Sequence, residues 1–179
     1  MARGMKWLTA ASLLLTAVFI CLYLTGAHWA ISSAITFGTF FYHFAIRLLV
    51  GHVIDRVMGN RANLSRKWYQ LKPFEVSLYK VLKVKKWKGK MPTYDPSVFD
   101  PKRHSWAEIA QAMCQAEIVH EVIVIFSFLP LLAAIPFGAF GVFLLTSLLA
   151  AMYDLSFVVM QRYNRPRIVK FITKRPGAN

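Results

Sequence analysis

Residues 7–24, WLTAASLLLTAVFICLYL, contain no charged side chain and follow directly on Lys6. A hydrocarbon core about 30 Å thick is crossed by roughly 20 helical residues, each adding about 1.5 Å along the axis. The run therefore reads as a transmembrane helix. Three more stretches reach that length: residues 29–50, apolar apart from His43 and Arg47; residues 106–135, whose apolar part begins near Ala116; and residues 137–162. Backbone amides find no water in hydrocarbon, so each stretch must satisfy them internally as a helix. The expectation is an all-α integral membrane protein, one domain over residues 1–179, with four transmembrane helices in two hairpins turning at residues 25–28 and 135–138.

Charge gives the orientation. The chain is 56% apolar yet carries 22 Lys and Arg against 8 Asp and Glu, a formal charge of +14. Arg3 and Lys6 precede the first helix, a dense series from Arg56 to Arg103 fills the loop of residues 52–105, and Arg162 to Arg175 populate the tail of residues 163–179. The two hairpin turns have no Lys or Arg. Loops near membrane spans keep such residues on the cytoplasmic side, so a multi-pass protein of the cell membrane with both termini and the loop in the cytoplasm is expected. A rival reading makes residues 1–27 a cleaved signal peptide, since Lys6, the apolar run and small residues at 25–27 imitate its three regions. Its removal would leave three spans, which fit the charge pattern less well.

The loop contains FEVSLYKVLKVKKWKGKM, residues 74–91, in which Phe74, Leu78, Val81, Leu82 and Trp87 interleave with six lysines. Such a segment suits the headgroup layer, rings and aliphatics down and ammonium groups up. Each lysine near an anionic leaflet contributes about 1 kcal/mol. Membrane lipids and their anionic headgroups are thus the expected partners; no nucleic-acid motif accompanies the basic residues, and nucleic acid is not expected. Pro92, Pro96 and Pro101 predict an irregular strap over residues 91–104. Ser105 and Glu108 then form a capping box that starts the third helix, and Pro130 predicts a kink within it.

Ionisable residues inside spans usually face the bundle interior or a wet cavity. His43 and Arg47 lie one turn apart on one face of the second helix; Glu117, His120 and Glu121 share a face of the third; Asp154 lies in the fourth, followed by Gln161-Arg162-Tyr163-Asn164-Arg165-Pro166-Arg167 at its exit. All fall toward the same side of the bilayer, which points to a site at the cytoplasmic interface. Taken singly, these residues also read as snorkelling or interfacial groups. QRYNRPR also reads as a positive-inside anchor, with Pro166 ending the helix. Cys21 and Cys114 make no CxxC or Cys/His spacing, so neither a disulfide nor a zinc site is inferred. His120 and Glu121 begin an H-E pair without the second histidine a metal site needs, and no metal is expected. No nucleophile elbow or phosphate-binding loop is found.

QRYNRPR, together with Ala116-Glu117-Ile118-Val119-His120 and Lys85-Lys86-Trp87-Lys88, resembles the glycosyl-4,4'-diaponeurosporenoate acyltransferases of staphyloxanthin-type carotenoid biosynthesis. The resemblance covers roughly residues 79–167. It implies transfer of a fatty acyl group to a hydroxyl of a membrane lipid or glycolipid, a glycosylated carotenoid among the candidates, with no cofactor beyond acyl-CoA or another acyl donor. In that reaction His120 is expected to be the general base, since an imidazole titrates near neutrality. Glu117 or Glu121 would orient its ring. Arg162, Arg165 and Arg167 are expected to hold donor phosphates, Tyr163 and Asn164 to donate to a developing oxyanion, and His43, Arg47 and Asp154 to contact substrate. The alternative is a non-catalytic lipid-binding or assembly subunit, supported by the lysine series and the missing catalytic boxes.

Overall fold

Many large apolar side chains are exposed on the long helices. Leu14, Val57, Ile125, Ile135, Leu145 and Leu149 are all more than half exposed, an arrangement that water would not tolerate over so large an area and that lipid would. The computed structural model describes residues 2–174. Its long helices are α1 (Ala2–Leu24), α2 (Ala30–Met58), α5 (Trp106–Phe126) and α7 (Phe140–Lys174). Shorter ones are α3 (Pro73–Val81) and α4 (Val84–Trp87) in the loop, and α6 (Ala134–Phe137) before α7. No strand occurs among the described residues. Four helical segments are long and apolar enough to cross a membrane, the third being α5 continued through α6.

Hydroxyl groups on these helices bond to their own backbone. Thr9, Ser12, Thr16, Thr36, Thr39, Ser127 and Thr146 each donate to the carbonyl one turn back, so a polar atom enters the apolar layer with its donor occupied. Consecutive long helices pack on each other, α1 on α2 and α5 on α7, while α2 also packs on α5. Phe19 of α1 stacks on Phe37 of α2 at 5.5 Å. Gly26, at φ 101°, permits the turn between them.

Helix ends differ from the sequence reading in instructive ways. α2 runs to Met58, past Val50, and stops at Gly59 in the left-handed conformation, whose amide bonds to the Asp55 carbonyl at 2.8 Å. Ser105 and Glu108 form the expected capping box, with the Ser105 amide donating to Glu108 Oε2 at 2.8 Å. The break in the third span precedes the expected kink: α5 ends at Phe126, and Pro130 lies in a following 3₁₀ turn, Leu129–Ala133. α7 begins at Phe140 rather than at residue 137, and it ends neither at residue 162 nor at Pro166. It continues to Lys174 although Pro166 lacks the amide that would reach the Arg162 carbonyl. Trp106 packs edge-on against Phe171 at 5.3 Å, which holds this continuation to the start of α5. The end of the expected basic tail, Arg175 included, lies outside the described residues.

The basic amphipathic segment contains two short helices, α3 and α4, broken at Lys83 in the left-handed region at φ 49°. Glu75, Tyr79 and Val84 are buried, while Phe74 and Val81 are exposed on the other side.

Candidate functional site

α2, α5 and α7 each contribute one ionisable side chain to a chain of contacts. Asp154 of α7 is fully buried. Its Oδ1 lies 2.9 Å from His120 Nδ1 on α5, and its Oδ2 accepts from Arg47 of α2. Arg47 also donates to the His43 carbonyl, one turn before it, at 2.6 Å and to the Ala150 carbonyl at 3.5 Å. A buried carboxylate needs both a counter-charge and filled lone pairs; here one oxygen receives each. The His120 ring lies flat on Phe157 with centroids 4.5 Å apart, and its side chain keeps 22% exposure. Held by Asp154 at Nδ1, the imidazole has no hydrogen-bond partner at Nε2 among the described residues. His43 is buried beside this chain with neither ring nitrogen bonded.

A second lattice lies further along α7. Glu117, fully buried, takes Arg162 on Oε1 at 2.5 Å and Arg165 on Oε2. Arg162 also donates to Glu75 Oε1 at 2.5 Å and to the Trp68 and Gln70 carbonyls at 2.9 and 3.2 Å. Arg165 donates to the Tyr69 carbonyl at 2.5 Å. These donors bind the stretch from Trp68 to Glu75 onto α5 and α7. Burial pushes the Glu75 carboxyl up, but hydrogen bonds from Arg162 and the Lys72 amide outweigh it and hold the group below its ordinary range. Burial, and then the Glu75 charge, push the neighbouring Tyr79 hydroxyl up to about 12.

The expected cluster at the exit of α7 is thus divided between two faces. Arg162 and Arg165, three apart, point inward and are bonded to carboxylates and carbonyls, whereas the sequence reading places them on a donor phosphate. Tyr163, Asn164 and Arg167 turn toward the loop: Lys88 Nζ donates to Asn164 Oδ1 at 2.5 Å, Arg167 donates to the Tyr163 carbonyl, and Tyr79 meets Tyr163 edge-on at 5.8 Å. Glu117 is bonded to arginines, so the side chain that orients His120 is Asp154. Glu121, also expected to orient it, accepts instead from the Trp68 indole at 3.0 Å.

Glu121 borders an apolar groove of about 470 Å³ walled by Ile118, Val122, Ile125, Leu155 and Val158, with Arg66 and Trp68 at its rim. Sequence reasoning missed Glu75, Trp68 and the Gln115 side chain, which accepts from the Asn60 amide at 2.7 Å and donates to Asp55 at 3.0 Å, tying the end of α2 to α5. A usable signal existed for Glu75: it is the one acidic residue between Asp55 and Asp95, a span dense in cations. Among the described residues no group of His, Cys, Asp and Glu could hold a metal ion.

A helical bundle with membrane-spanning dimensions, whose buried acids and bases cross-link its helices, defines the class of protein. Residues 65–174 match the family of glycosyl-4,4'-diaponeurosporenoate acyltransferases, and the chain belongs to that family. The match includes Glu75, Glu117, His120, Asp154, Arg162 and Arg165, and leaves out α1 and α2 with His43 and Arg47. No curated protein and no solved structure matches the chain.

Proposed function

We propose that the protein is a membrane acyltransferase that moves a fatty acyl group onto a hydroxyl of a membrane glycolipid, with His120 as general base at the inner interface. The observation that carries this reading is the Arg47, Asp154, His120 chain. Nδ1–H donated to Asp154 leaves Nε2 free to take the acceptor's hydroxyl proton as its oxygen attacks the acyl carbonyl. Asp154 then stabilises the imidazolium, which returns the proton to the leaving group. Acyl-CoA is the donor that suits a site opening to the cytoplasm. Membranes containing the protein, supplied with labelled palmitoyl-CoA and a glycosylated carotenoid, should form a labelled ester that control membranes do not. Absence of any acylated lipid would overturn the reading.

The same reading sets the orientation, with the loop and both termini in the cytoplasm of a cell membrane. A reporter fused after Asn60 should therefore be protected from an impermeant reagent, and a tag between Thr25 and His28 should be labelled from outside. A labelled loop would reverse the orientation.

The groove beside Glu121 favours a second reading, a lipid-binding subunit, because it offers an apolar wall to a hydrocarbon chain independently of His120. Ile125→Trp should fill part of it. Loss of co-purifying lipid with unchanged acyl transfer would assign the groove to binding apart from chemistry.

A further inference from the structure

Arg47, Arg162 and Arg165 each pair with a carboxylate, whereas Lys88 and Arg167 pair with none among the described residues. Both are held in place nonetheless. Lys88 Nζ lies 5.1 Å and the Arg167 guanidinium 3.7 Å from the centroid of the Tyr163 ring. Lys88 gives one hydrogen bond to Asn164 and Arg167 one to the Tyr163 carbonyl. An ammonium has three N–H donors and a guanidinium five, so most of their donors remain open. Two like charges on one ring repel each other. Lys88 is accordingly held below its ordinary range, by burial first and then by the charges of Arg167 and Lys85. An anion between them would relieve that repulsion and fill the open donors.

The position of the pair extends the argument. Tyr153, Phe157, Met160, Asn164 and Arg167 recur at intervals of four and three, which places them along one face of α7. His120 stacks on Phe157 of that face. At about 1.5 Å per residue, Phe157 and Arg167 are separated by roughly 15 Å along the axis. An elongated ligand with its anionic end at Arg167 can reach the imidazole with its other end.

We propose that Lys88 and Arg167, braced by Tyr163 and Asn164, bind the phosphate of an elongated amphiphilic ligand. Its role as acyl donor rests on the acyl-transfer reading. Two sources share the chemistry: the phosphates of a nucleotide thioester such as acyl-CoA, and the headgroup of a phospholipid.

The test uses the full chain in nanodiscs and reads binding rather than turnover. In phosphatidylcholine nanodiscs, coenzyme A should bind the wild type, with affinity falling about tenfold for each cation removed in Lys88→Gln and Arg167→Gln. In nanodiscs of phosphatidylcholine with phosphatidylglycerol, native mass spectrometry reads the anionic lipid retained. A loss confined to coenzyme A identifies the nucleotide, and a loss confined to phosphatidylglycerol identifies the headgroup. If both quantities match those of the Lys102→Gln control, there is no phosphate site. Thermal unfolding verifies the fold of each variant, and Lys88→Gln, which leaves α7 intact, stands alone should Arg167→Gln not fold. His120→Ala should retain this binding. If His120→Ala also kept full activity while the cation variants lost binding, the phosphate site would stand and the catalytic reading would fall.

Discussion

His120→Ala is expected to slow acyl transfer by about a hundredfold to ten-thousandfold, the usual contribution of a positioned general base. Removing the ring opens space beside Phe157 but leaves Asp154 bonded to Arg47, so a monodisperse protein with a nearly unchanged melting temperature should be recovered. Asp154→Asn provides the companion measurement. An amide there can present its NH2 to Nδ1, reversing the tautomer so that Nε2 carries the proton, and it cannot neutralise Arg47. Turnover should fall about as far as in His120→Ala, and the double variant should be little worse than either single one, because the two residues act as a unit. Rates are read in detergent-purified protein at saturating donor. Full activity in His120→Ala would remove the imidazole from the chemistry and leave lipid binding as the better account.

Glu117→Ala should destabilise the protein by about 3–5 kcal/mol, the range for breaking a buried ion pair from one side. It strands one guanidinium: Arg165 loses its carboxylate and keeps only the Tyr69 carbonyl, whereas Arg162 remains paired with Glu75. Their donors also hold the Trp68 to Gln70 backbone, so the loop should loosen together with the α5 and α7 pair. The measurement is thermal unfolding in detergent, with proteolysis near Trp68 as the local readout. Arg165→Met added to Glu117→Ala should recover part of the loss, since the stranded charge is removed with its partner. Unchanged unfolding in Glu117→Ala would mean that this lattice does not hold the bundle.

The spans were legible because crossing hydrocarbon demands apolar length, and length is what a sequence displays directly. The capping box was legible for a similar reason, its two side chains lying three residues apart. The depth shared by His43, Arg47, His120 and Asp154 could be read as well. Partner choice could not. Glu117 and Asp154 are both acids near a histidine and near arginines, and the pairing of Glu117 with Arg162 and Asp154 with His120 depends on the rotation and offset of α5 against α7. Likewise, the division of QRYNRPR between an inward and an outward face depends on Glu75 arriving from a loop that has no period of its own. The helix through Pro166 persists because distant Trp106 packs on Phe171, a contact absent from any local pattern.

The Arg47 to Asp154 pair joins residues 107 positions apart. At a synthesis rate of about 5–20 residues per second, α2 is complete roughly 5–20 s before Asp154 is made. During that interval the guanidinium has the His43 carbonyl of its own helix but no carboxylate to meet, and its other donors must turn to water or lipid phosphate, with its aliphatic stem lying along the helix. The second helix is therefore expected to sit shallower while it waits than after α7 docks. An arrest sequence that stops translation between residues 130 and 150 would hold the nascent chain in the shallower position, where a cysteine placed near Arg47 should react with a water-soluble reagent that it escapes in the finished protein.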